Sequence, residues 1–310
     1  MRGDDRLIAG ARSVASVLGS VVTLGTFDGV HLGHRGLVSR AKARSVALSL
    51  PLYAYTFDPL PARVLSAKPP RPLISTTERV RRLLAVGHDR VVLEPFTDEL
   101  SSLEAEVFVE QYLMRLSPRH VTVGFNFHFG RGRGGSAATL VEAGRAQGFT
   151  VDVVPAVEVD GAPVSSSRIR SLLEEGDVAA AARLLGSHHE IVGEVVEGDR
   201  RGRTIGVPTA NVAVGLEIVP RVGVYATRTT LMSGACFGSV TNVGWRPTFS
   251  GKELRVETHL FDFDADLYGQ QIRVALVERI RDERKFDGFQ ALVAQIREDA
   301  ARARAILSTP

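Results

Sequence analysis

The chain has 310 residues, and its 38 basic side chains exceed its 35 acidic ones by only three charges. This balance is unlike that of a protein that coats nucleic acid without sequence preference. Hydrophobic residues make up 44% of the chain and charged residues 24%, which are ordinary shares that exclude general disorder and fibrous repeats. At about 150 residues per domain, the length favours two domains.

The single cysteine, Cys236, excludes a disulfide within the chain and a zinc site built from cysteines. The first ten residues contain acids where a signal peptide has an uninterrupted apolar stretch. No run of about 18 apolar residues occurs in the sequence. We therefore expect a cytoplasmic protein without a membrane partner, and the charge balance argues against a nucleic-acid partner. No heptad repeat or apolar stripe indicates an oligomeric state.

Short apolar runs alternate with amphipathic segments in the first part of the chain. The runs cover residues 21–27, 51–57, 90–96, 120–127 and 149–157. They are continuously apolar, as strands buried on both faces are. The alternation predicts a doubly wound α/β domain, in which helices cover a parallel sheet.

Two of the amphipathic segments open with Ser and carry Glu three residues later, the pattern of a helix capping box. The pairs are Ser75 with Glu78 and Ser101 with Glu104. Residues 166–186 read as two short helices separated at Gly176 and ended by Gly186.

The pattern changes after residue 186 to strand-like runs separated by Gly, Asp and Pro turns. The runs are EIVGEVV, GVYATRTTLM, ACFGSVTNVG, LRVETHLFDF and IRVALVERI. Their spacing predicts a small antiparallel barrel, with a sandwich as the alternative, followed by a C-terminal amphipathic helix. We therefore expect domains at residues 1–186 and 187–310.

The segment GTFDGVHLGHRG (25–36) lies between the first strand and the first helix. His31 and His34 stand three residues apart and project from one side of the first helical turn. The free amides of that turn and the flexible glycines make a polyanion site at the carboxyl end of the strand. Two surface histidines without function, or a metal-binding pair, are the alternatives. No further ligand spaced for a metal lies nearby.

This HxGH segment resembles the signature of the nucleotidylyltransferase superfamily, and GTFDGVHLGH resembles its flavin adenylyltransferase branch. The resemblance implies that His31 and His34 neutralise charge that develops on phosphates. It also implies a nucleotide-binding role for four residues of the segment, namely Gly25, Phe27, Asp28 and Gly33.

VSSSRIR (164–170) resembles the Ser/Thr-rich partner motif of that superfamily. The resemblance implies that Ser165 and Ser166 hold the departing pyrophosphate and that Arg170 supports it. Hydroxyls and amides at a helix start, together with an arginine, suit phosphate for physical reasons as well.

TFDPLP (56–61) and VGFNFHFGRGRGG (123–135) also resemble the family, which implies that Asn126 contacts nucleotide or flavin. The sequence departs from the family pattern at three positions. Leu60 stands where His is common, Ser167 where Thr is common, and Pro163 where a basic residue is common.

The glycines at 130, 132 and 135 satisfy the GxGxxG pattern of a dinucleotide-binding turn. That pattern belongs to a first βα turn, whereas this one follows the fourth predicted strand. The same residues could be read as a short RNA-binding RGG tract. We expect a structural loop or a flap over flavin or ATP.

A Gly- and Arg-rich turn leads into the segment PTAN in the second half of the chain. Thr209 and Asn211 alternate on one strand, so their oxygen atoms lie on one face. Such oxygens suit a Mg²⁺ ion that carries the phosphates of ATP. Gly206 and Pro208 of the same segment are expected to contact the nucleotide.

NVGWRPTF (242–249) and VETHLFDFDADLYG (256–269) follow at the spacing seen in riboflavin kinases, which the chain resembles from about residue 187 to its end. The resemblance implies that Glu257 is a general base, since a carboxylate can accept the proton of a ribityl hydroxyl. The alternative is an exposed acid on a strand face without a role in catalysis.

Both halves together resemble the prokaryotic bifunctional riboflavin kinase and FAD synthetase family over about residues 20–290. This resemblance implies that riboflavin and ATP give FMN, and that FMN and a second ATP give FAD and pyrophosphate, with Mg²⁺ in both steps. A nucleotidylyltransferase for another phosphorylated vitamin and a non-catalytic flavin- or RNA-binding protein are the alternatives.

Overall fold

The computed structural model describes residues 5–15, 17–198, 207–248 and 251–308. The chain divides into two compact units, Met1–Ser166 and Ser167–Pro310. The sequence places the domain boundary later, at 186/187, and that boundary stays a prediction. None of the helices in the described ranges has the length and apolar composition needed to span a membrane.

Within residues 5–15 and 17–166, the first unit contains ten strands. They are β1 (Leu7–Ala9), β2 (Ser20–Leu24), β3 (Leu52–Asp58), β4 (Arg90–Pro95), β5 (Pro118–Gly124), β6 (His128–Phe129), β7 (Gly135–Ser136), β8 (Thr150–Val154), β9 (Glu158–Val159) and β10 (Ala162–Pro163). Six of them form one sheet in the order β1-β4-β3-β2-β5-β8, and every neighbouring pair is parallel. The predicted parallel sheet is confirmed.

The strands are connected by α-helices, which in the described part of this unit are α1 (Leu32–Leu48), α2 (Pro61–Leu65), α3 (Thr76–Ala85), α4 (Asp98–Ser101), α5 (Ala105–Gln111) and α6 (Ala137–Gln147). Short 3₁₀ helices lie at Ala11–Ser13, Leu113–Leu116 and Arg131–Arg133. All five residues of β2 are buried, as expected for a central strand that is covered on both faces.

The structure confirms one of the two predicted helix caps and contradicts the other. Ser75 caps α3, and its side chain accepts a hydrogen bond from the Glu78 amide, as predicted. The prediction for Ser101 is wrong, because Thr97 caps α4 and Ser101 is the last residue of that helix. Thr97 is followed directly by two acids in the first turn, where the helix dipole favours them.

The sheet edge and the strand ends also differ from the sequence prediction. Strand β1 was not predicted, since three residues are too few for a recognisable pattern, and its sheet partner is β4. Strand β2 stops at Leu24 rather than at residue 27, because the backbone turns sharply in the loop that follows, with Phe27 at φ 51°.

Two helices precede the strands of the second unit, α7 (Ser166–Glu175) and α8 (Val178–Leu185). Gly176 adopts φ 87° between them, and Gly186 ends α8 in the left-handed conformation. Both helices and their glycine ends are confirmed.

Six strands form a closed barrel in the second unit. They are β11 (His189–Val196), β12 (Ala210–Val212), β13 (Gly223–Leu231), β14 (Cys236–Thr248), β15 (Gly251–Leu260) and β16 (Gln271–Arg281). Their order is β11-β12-β15-β14-β13-β16, and all pairs are antiparallel. The predicted barrel is confirmed, and the sandwich alternative is excluded.

The barrel holds a hydrogen-bonded group of hydroxyl side chains on its inner face. Thr227, Thr229, Ser239, Thr241 and Thr258 are fully buried and bond to one another. Helix α9 (Phe289–Ser308) packs outside, where Arg281 of β16 donates to both carboxylate oxygens of Asp299. The predicted C-terminal helix is confirmed.

Candidate active sites

The first candidate site lies at the carboxyl ends of β2, β3 and β5. Strand β2 has β3 on one side and β5 on the other, so the strand order reverses beside it. Open parallel sheets bind ligands in the crevice at such a reversal. The loop between β2 and α1, which contains GTFDGVHLGH, starts at this position.

This loop has an unusual backbone. Phe27 and Val30 adopt left-handed φ angles of 51° and 46°, and Gly29 adopts 87°. The side chains of Phe27 and Val30 are fully buried in an apolar cluster. The Phe27 ring therefore supports the loop from inside the protein, and a ligand outside could reach this residue through its backbone.

His31 and His34 lie together at the start of α1. His31 is the N-cap residue, and its Nδ1 accepts the backbone amide of His34 at 3.4 Å. This acceptor role needs the lone pair on Nδ1, so a neutral His31 carries its proton on Nε2. The two rings stack with 3.7 Å between their centroids.

The environment of His34 favours its neutral form. Burial lowers the pKa of His34 well below its usual value, and the neighbouring His31 lowers it further. Its Nδ1 is enclosed and has no hydrogen-bond partner among the residues described. The edge of the Phe27 ring contacts His34 with 5.3 Å between ring centroids. At neutral pH, His34 is therefore a dipolar group rather than a cation.

The structure brings the histidine segment and the serine segment together. The Ser166 hydroxyl donates to the Asp28 carbonyl at 2.9 Å, although the two residues are 138 positions apart. A Cβ atom at Gly33 would lie 3.2 Å from the His31 ring and 3.5 Å from the Val164 carbonyl. The contact with Val164 is an ordinary one, whereas the contact with His31 is tight, so glycine at position 33 leaves room for the His31 ring.

The other predicted residues of this region have separate positions. The Gly25 amide donates a hydrogen bond to the Tyr55 carbonyl, and the Phe27 ring packs against Gly25. Asn126 lies in an exposed loop after β5. Arg170 lies on α7 in the second unit, and Ser165 directly precedes that helix.

Asp28 and Arg79 are charged groups at the base of the loop. Asp28 is buried and accepts the Leu73 amide at 2.9 Å. Arg79 is also buried, and sequence reasoning did not identify it. The available signal was its position four residues before Leu83, which places a charge on the buried face of α3.

A group of aromatic rings surrounds the carboxyl ends of β3, β4 and β5. The rings contact one another with centroid distances between 5.4 and 5.8 Å. The group consists of Tyr55, Phe57, Phe96, Phe108, Phe127 and Phe129. Sequence reasoning missed it, although the alternating phenylalanines of FNFHF were a signal.

The glycines of the GxGxxG pattern lie in the β6–β7 hairpin. Cβ atoms at Gly130 and Gly135 would lie 2.8 Å and 2.7 Å from atoms of Ala105. Close packing against α5 therefore accounts for two of the three glycines. Whether the hairpin also covers a ligand stays a prediction.

The second candidate site lies on the outer face of the barrel. Glu257 on β15 stands directly opposite Asn211 on β12 and Asn242 on β14. Directly opposite residues in antiparallel strands share a face. The neighbours Val256 and Thr258 are buried in the barrel, so Glu257 points outward with the two asparagines.

Asn211 has an unusual oxygen atom. Its Oδ1 is enclosed and accepts no hydrogen bond from the described residues. Thr209 lies two residues earlier, just before β12. The Pro208 carbonyl accepts from Nδ1 of His259 at 2.8 Å. Gly206, the remaining predicted residue, lies outside the described residues.

A cavity of about 510 Å³ opens beside Thr209. Its lining includes Thr209, Ala210, Leu260, Asp264, Asp266 and Tyr268. Asp266 accepts the Tyr268 amide at 2.9 Å, which is the turn-forming role that the sequence indicated. Apolar and polar groups thus line one concave space next to the predicted Mg²⁺ ligands Thr209 and Asn211.

Comparison with known families gives one match for each half of the chain. Residues 14–168 match a family described as FAD synthetase, and residues 185–307 match a family described as riboflavin kinase. The matches include the HxGH segment in the first region, and PTAN and Glu257 in the second.

Similar proteins cover nearly the whole chain. The bifunctional riboflavin kinase/FMN adenylyltransferase of Pseudomonas fluorescens is 37% identical over 290 residues, which is 93% of this chain and 93% of that protein. The protein of the same description from Bacillus subtilis (strain 168) is 38% identical over 290 residues, 92% of this chain and 91% of its own.

A solved structure shares the fold. It is described as a macrolide-efflux protein from Streptococcus pneumoniae, is 33% identical in sequence, and has a TM-score of 0.89. The likeness covers 96% of this chain and 98% of that one.

Proposed function

The chain belongs to the bifunctional riboflavin kinase/FMN adenylyltransferase family, and on this premise we propose which residues carry its two reactions. The protein is an enzyme of FAD biosynthesis. It phosphorylates riboflavin to FMN with ATP and adenylylates FMN to FAD. The roles of individual residues and of Mg²⁺ are our proposals.

His31, His34 and the first turn of α1 act on ATP in the adenylyl transfer. The observation that supports this best is the hydrogen bond from the Ser166 hydroxyl to the Asp28 carbonyl. It joins the VSSSRIR segment to the GTFDGVHLGH loop, the two segments predicted to bind phosphates. A phosphate oxygen of FMN attacks the α-phosphorus of ATP, and the bond from that phosphorus to pyrophosphate breaks. The free amides of α1 and the N–H groups of the two imidazoles stabilise the charge that develops.

Two serines and an arginine hold the leaving pyrophosphate in this proposal. Ser165 supplies its hydroxyl just before α7, and Ser166, whose hydroxyl is held by the Asp28 carbonyl, supplies its backbone amide in the first turn. Arg170 supplies charge one helical turn further on. Gly25 and Gly33 let the backbone approach the nucleotide, and Asp28 keeps the loop in shape.

The flavin ring packs against the aromatic group at the carboxyl ends of β3, β4 and β5. Phe57, Phe96 and Phe127 are only partly buried by the apolar core. A flat, apolar ring system gains both burial and favourable ring contacts there. Asn126, exposed on the adjoining loop, supplies hydrogen-bonding groups.

Glu257 acts as general base in the kinase reaction. Its carboxylate accepts the proton of the terminal ribityl hydroxyl of riboflavin, and that oxygen attacks the γ-phosphorus of ATP while the bond to ADP breaks. The cavity beside Thr209 accommodates the nucleotide, and Pro208, which lines the cavity, contacts it. Glu257 points outward on β15, opposite Asn211 of β12, so we place riboflavin on this outer face of the barrel.

The residues present fit Mg²⁺ in the kinase site. The enclosed Oδ1 of Asn211 accepts no hydrogen bond from described residues, and an oxygen of this kind is a suitable ligand. Asn211 and the Thr209 hydroxyl would hold the ion with phosphate oxygens and water. Bound there, Mg²⁺ neutralises charge on the transferred phosphates.

Separation of the reaction products tests the proposed pair of reactions. With riboflavin, ATP and Mg²⁺, chromatography should show FMN and FAD, with ADP and pyrophosphate released. With FMN in place of riboflavin, pyrophosphate should form without ADP, and chelation of Mg²⁺ should stop both reactions. FAD formation without pyrophosphate would contradict the adenylyl transfer.

A further inference from the structure

One guanidinium connects two loops at the first site. Arg79 of α3 donates from Nη1 to the Thr26 carbonyl at 3.2 Å and from Nη2 to the Phe57 carbonyl at 2.6 Å. Thr26 lies in the loop between β2 and α1, and Phe57 lies at the end of β3. Only 2% of the Arg79 side chain is exposed, so these bonds are shielded from water.

Two carboxylates face this buried cation. Asp58 Oδ1 lies 3.9 Å from Arg79 Nη2 and also accepts the Thr76 hydroxyl at 2.6 Å. Burial lowers the pKa of Arg79, whereas the charges of Asp28 and Asp58 raise it. A guanidinium stays protonated under such opposing effects, so the positive charge beneath the loop is permanent.

The Thr26 carbonyl lies where the loop departs from ordinary geometry. Phe27, the next residue, and the β-branched Val30 both have positive φ angles. L-residues hold such angles only when their surroundings impose them. Besides Arg79, the Thr56 hydroxyl donates to Thr26 at 3.1 Å. The segment with positive φ angles ends at Val30, and His31 directly follows it.

We propose that Arg79 is a positioning residue for adenylyl transfer, which fixes the β2–α1 loop against β3 and thereby aims His31 and His34 at the phosphates of ATP. This inference rests on the proposed role of the histidines. The two carbonyls are bonded by two different nitrogens of one planar guanidinium, whereas lysine has a single, mobile nitrogen and cannot reproduce this geometry. Loss of this geometry should therefore loosen the loop without removing charge from the site.

Arg79→Lys in the full chain tests this inference, with Arg82→Lys as the matched control. Arg82 is also a buried arginine of α3, but its Nε donates to Glu78 at 2.6 Å, away from the loop. We expect Arg79→Lys to lower kcat for FAD formation from FMN about 10-fold or more, with KM for FMN changed less than about 3-fold. Arg82→Lys should change neither, and FMN formation from riboflavin should persist in both.

Hydrogen exchange read by mass spectrometry separates positioning from general support of the fold. In Arg79→Lys, amides of residues 25–31 should exchange faster, while the β2 and β3 peptides stay protected. An unchanged kcat, a lower kcat without faster loop exchange, or loss of protection throughout the strands would each overturn the inference.

His31→Ala, assayed in parallel, separates this inference from the proposed function. If His31→Ala abolishes FAD formation and Arg79→Lys does not reduce it, the histidines keep their role and Arg79 has none. If His31→Ala forms FAD at the normal rate, the proposed site itself is wrong, and the inference about Arg79 is overturned with it.

Discussion

The imidazole rings of His31 and His34 lie nearly parallel, with 16° between their planes, and the backbone amide of His34 bonds to Nδ1 of His31. Two protonated rings at this distance would repel each other. The lowered pKa of His34 agrees with a neutral ring in this stack. The pair therefore offers N–H dipoles to a phosphate, supported by the helix start, rather than two full charges.

His31→Ala should lower the rate of FAD formation from FMN by about 10²-fold or more, the usual loss when one transition-state donor is removed. FMN formation from riboflavin should continue, because Glu257 and Asn211 lie in the barrel unit. Chromatography of the flavins from both substrates measures the two reactions in one preparation. Loss of both activities in a folded variant would contradict separate sites.

Glu257→Gln should lower the riboflavin kinase rate by about 10² to 10⁴-fold, the range for loss of a general base, because the amide cannot accept the ribityl proton. Supplied FMN should still be converted to FAD. Glu253→Gln is the matched control, since Glu253 lies on the same face of β15 and is exposed beside Arg255. If the two variants had equal kinase rates, Glu257 would not be the general base.

Asn211→Leu should raise the Mg²⁺ concentration that gives half-maximal kinase activity by about 10-fold or more, as for a lost metal contact. The substitution keeps a similar volume but removes the enclosed oxygen that accepts no hydrogen bond from described residues. Mg²⁺ titration of FAD formation from FMN provides the control within the same chain and should not change. If the Mg²⁺ concentration for half-maximal kinase activity did not change, Asn211 would not be a Mg²⁺ ligand.

The sequence predicted the elements whose signals are local. Continuous apolar runs identified the parallel strands, and the glycines at 176 and 186 identified the ends of α7 and α8. Arg79 escaped prediction because its partners, the Thr26 and Phe57 carbonyls, are backbone atoms from distant segments. Such bonds leave no pattern in residue types. The aromatic group was missed because only part of it has a local signal, in FNFHF, while its other rings come from β3, α5 and the segment after β4.

His88 predicts a pH dependence of the stability of the first unit. Its ring is buried and bonds to Thr23 and to the Leu83 carbonyl. Burial lowers the pKa of His88 to about 4, although the Leu83 bond opposes this shift. An unfolded chain binds the proton at about pH 6.5. Between these values the unfolded state holds more protons, so the free energy of unfolding decreases as the pH falls.

His88→Gln should therefore flatten the pH dependence by up to about 3 kcal/mol between about pH 6.5 and about pH 4, because glutamine keeps a donor and an acceptor but does not titrate. Urea-dependent hydrogen exchange of the β2 peptide at about pH 5 and about pH 7.5 measures this free energy for the first unit alone. Burial also lowers the pKa of His34, so its protonation likewise decreases the free energy of unfolding at low pH. This contribution is the same in both proteins and cancels when their pH profiles are compared. Parallel pH profiles for the variant and the natural chain would show that His88 accepts its proton in the folded state.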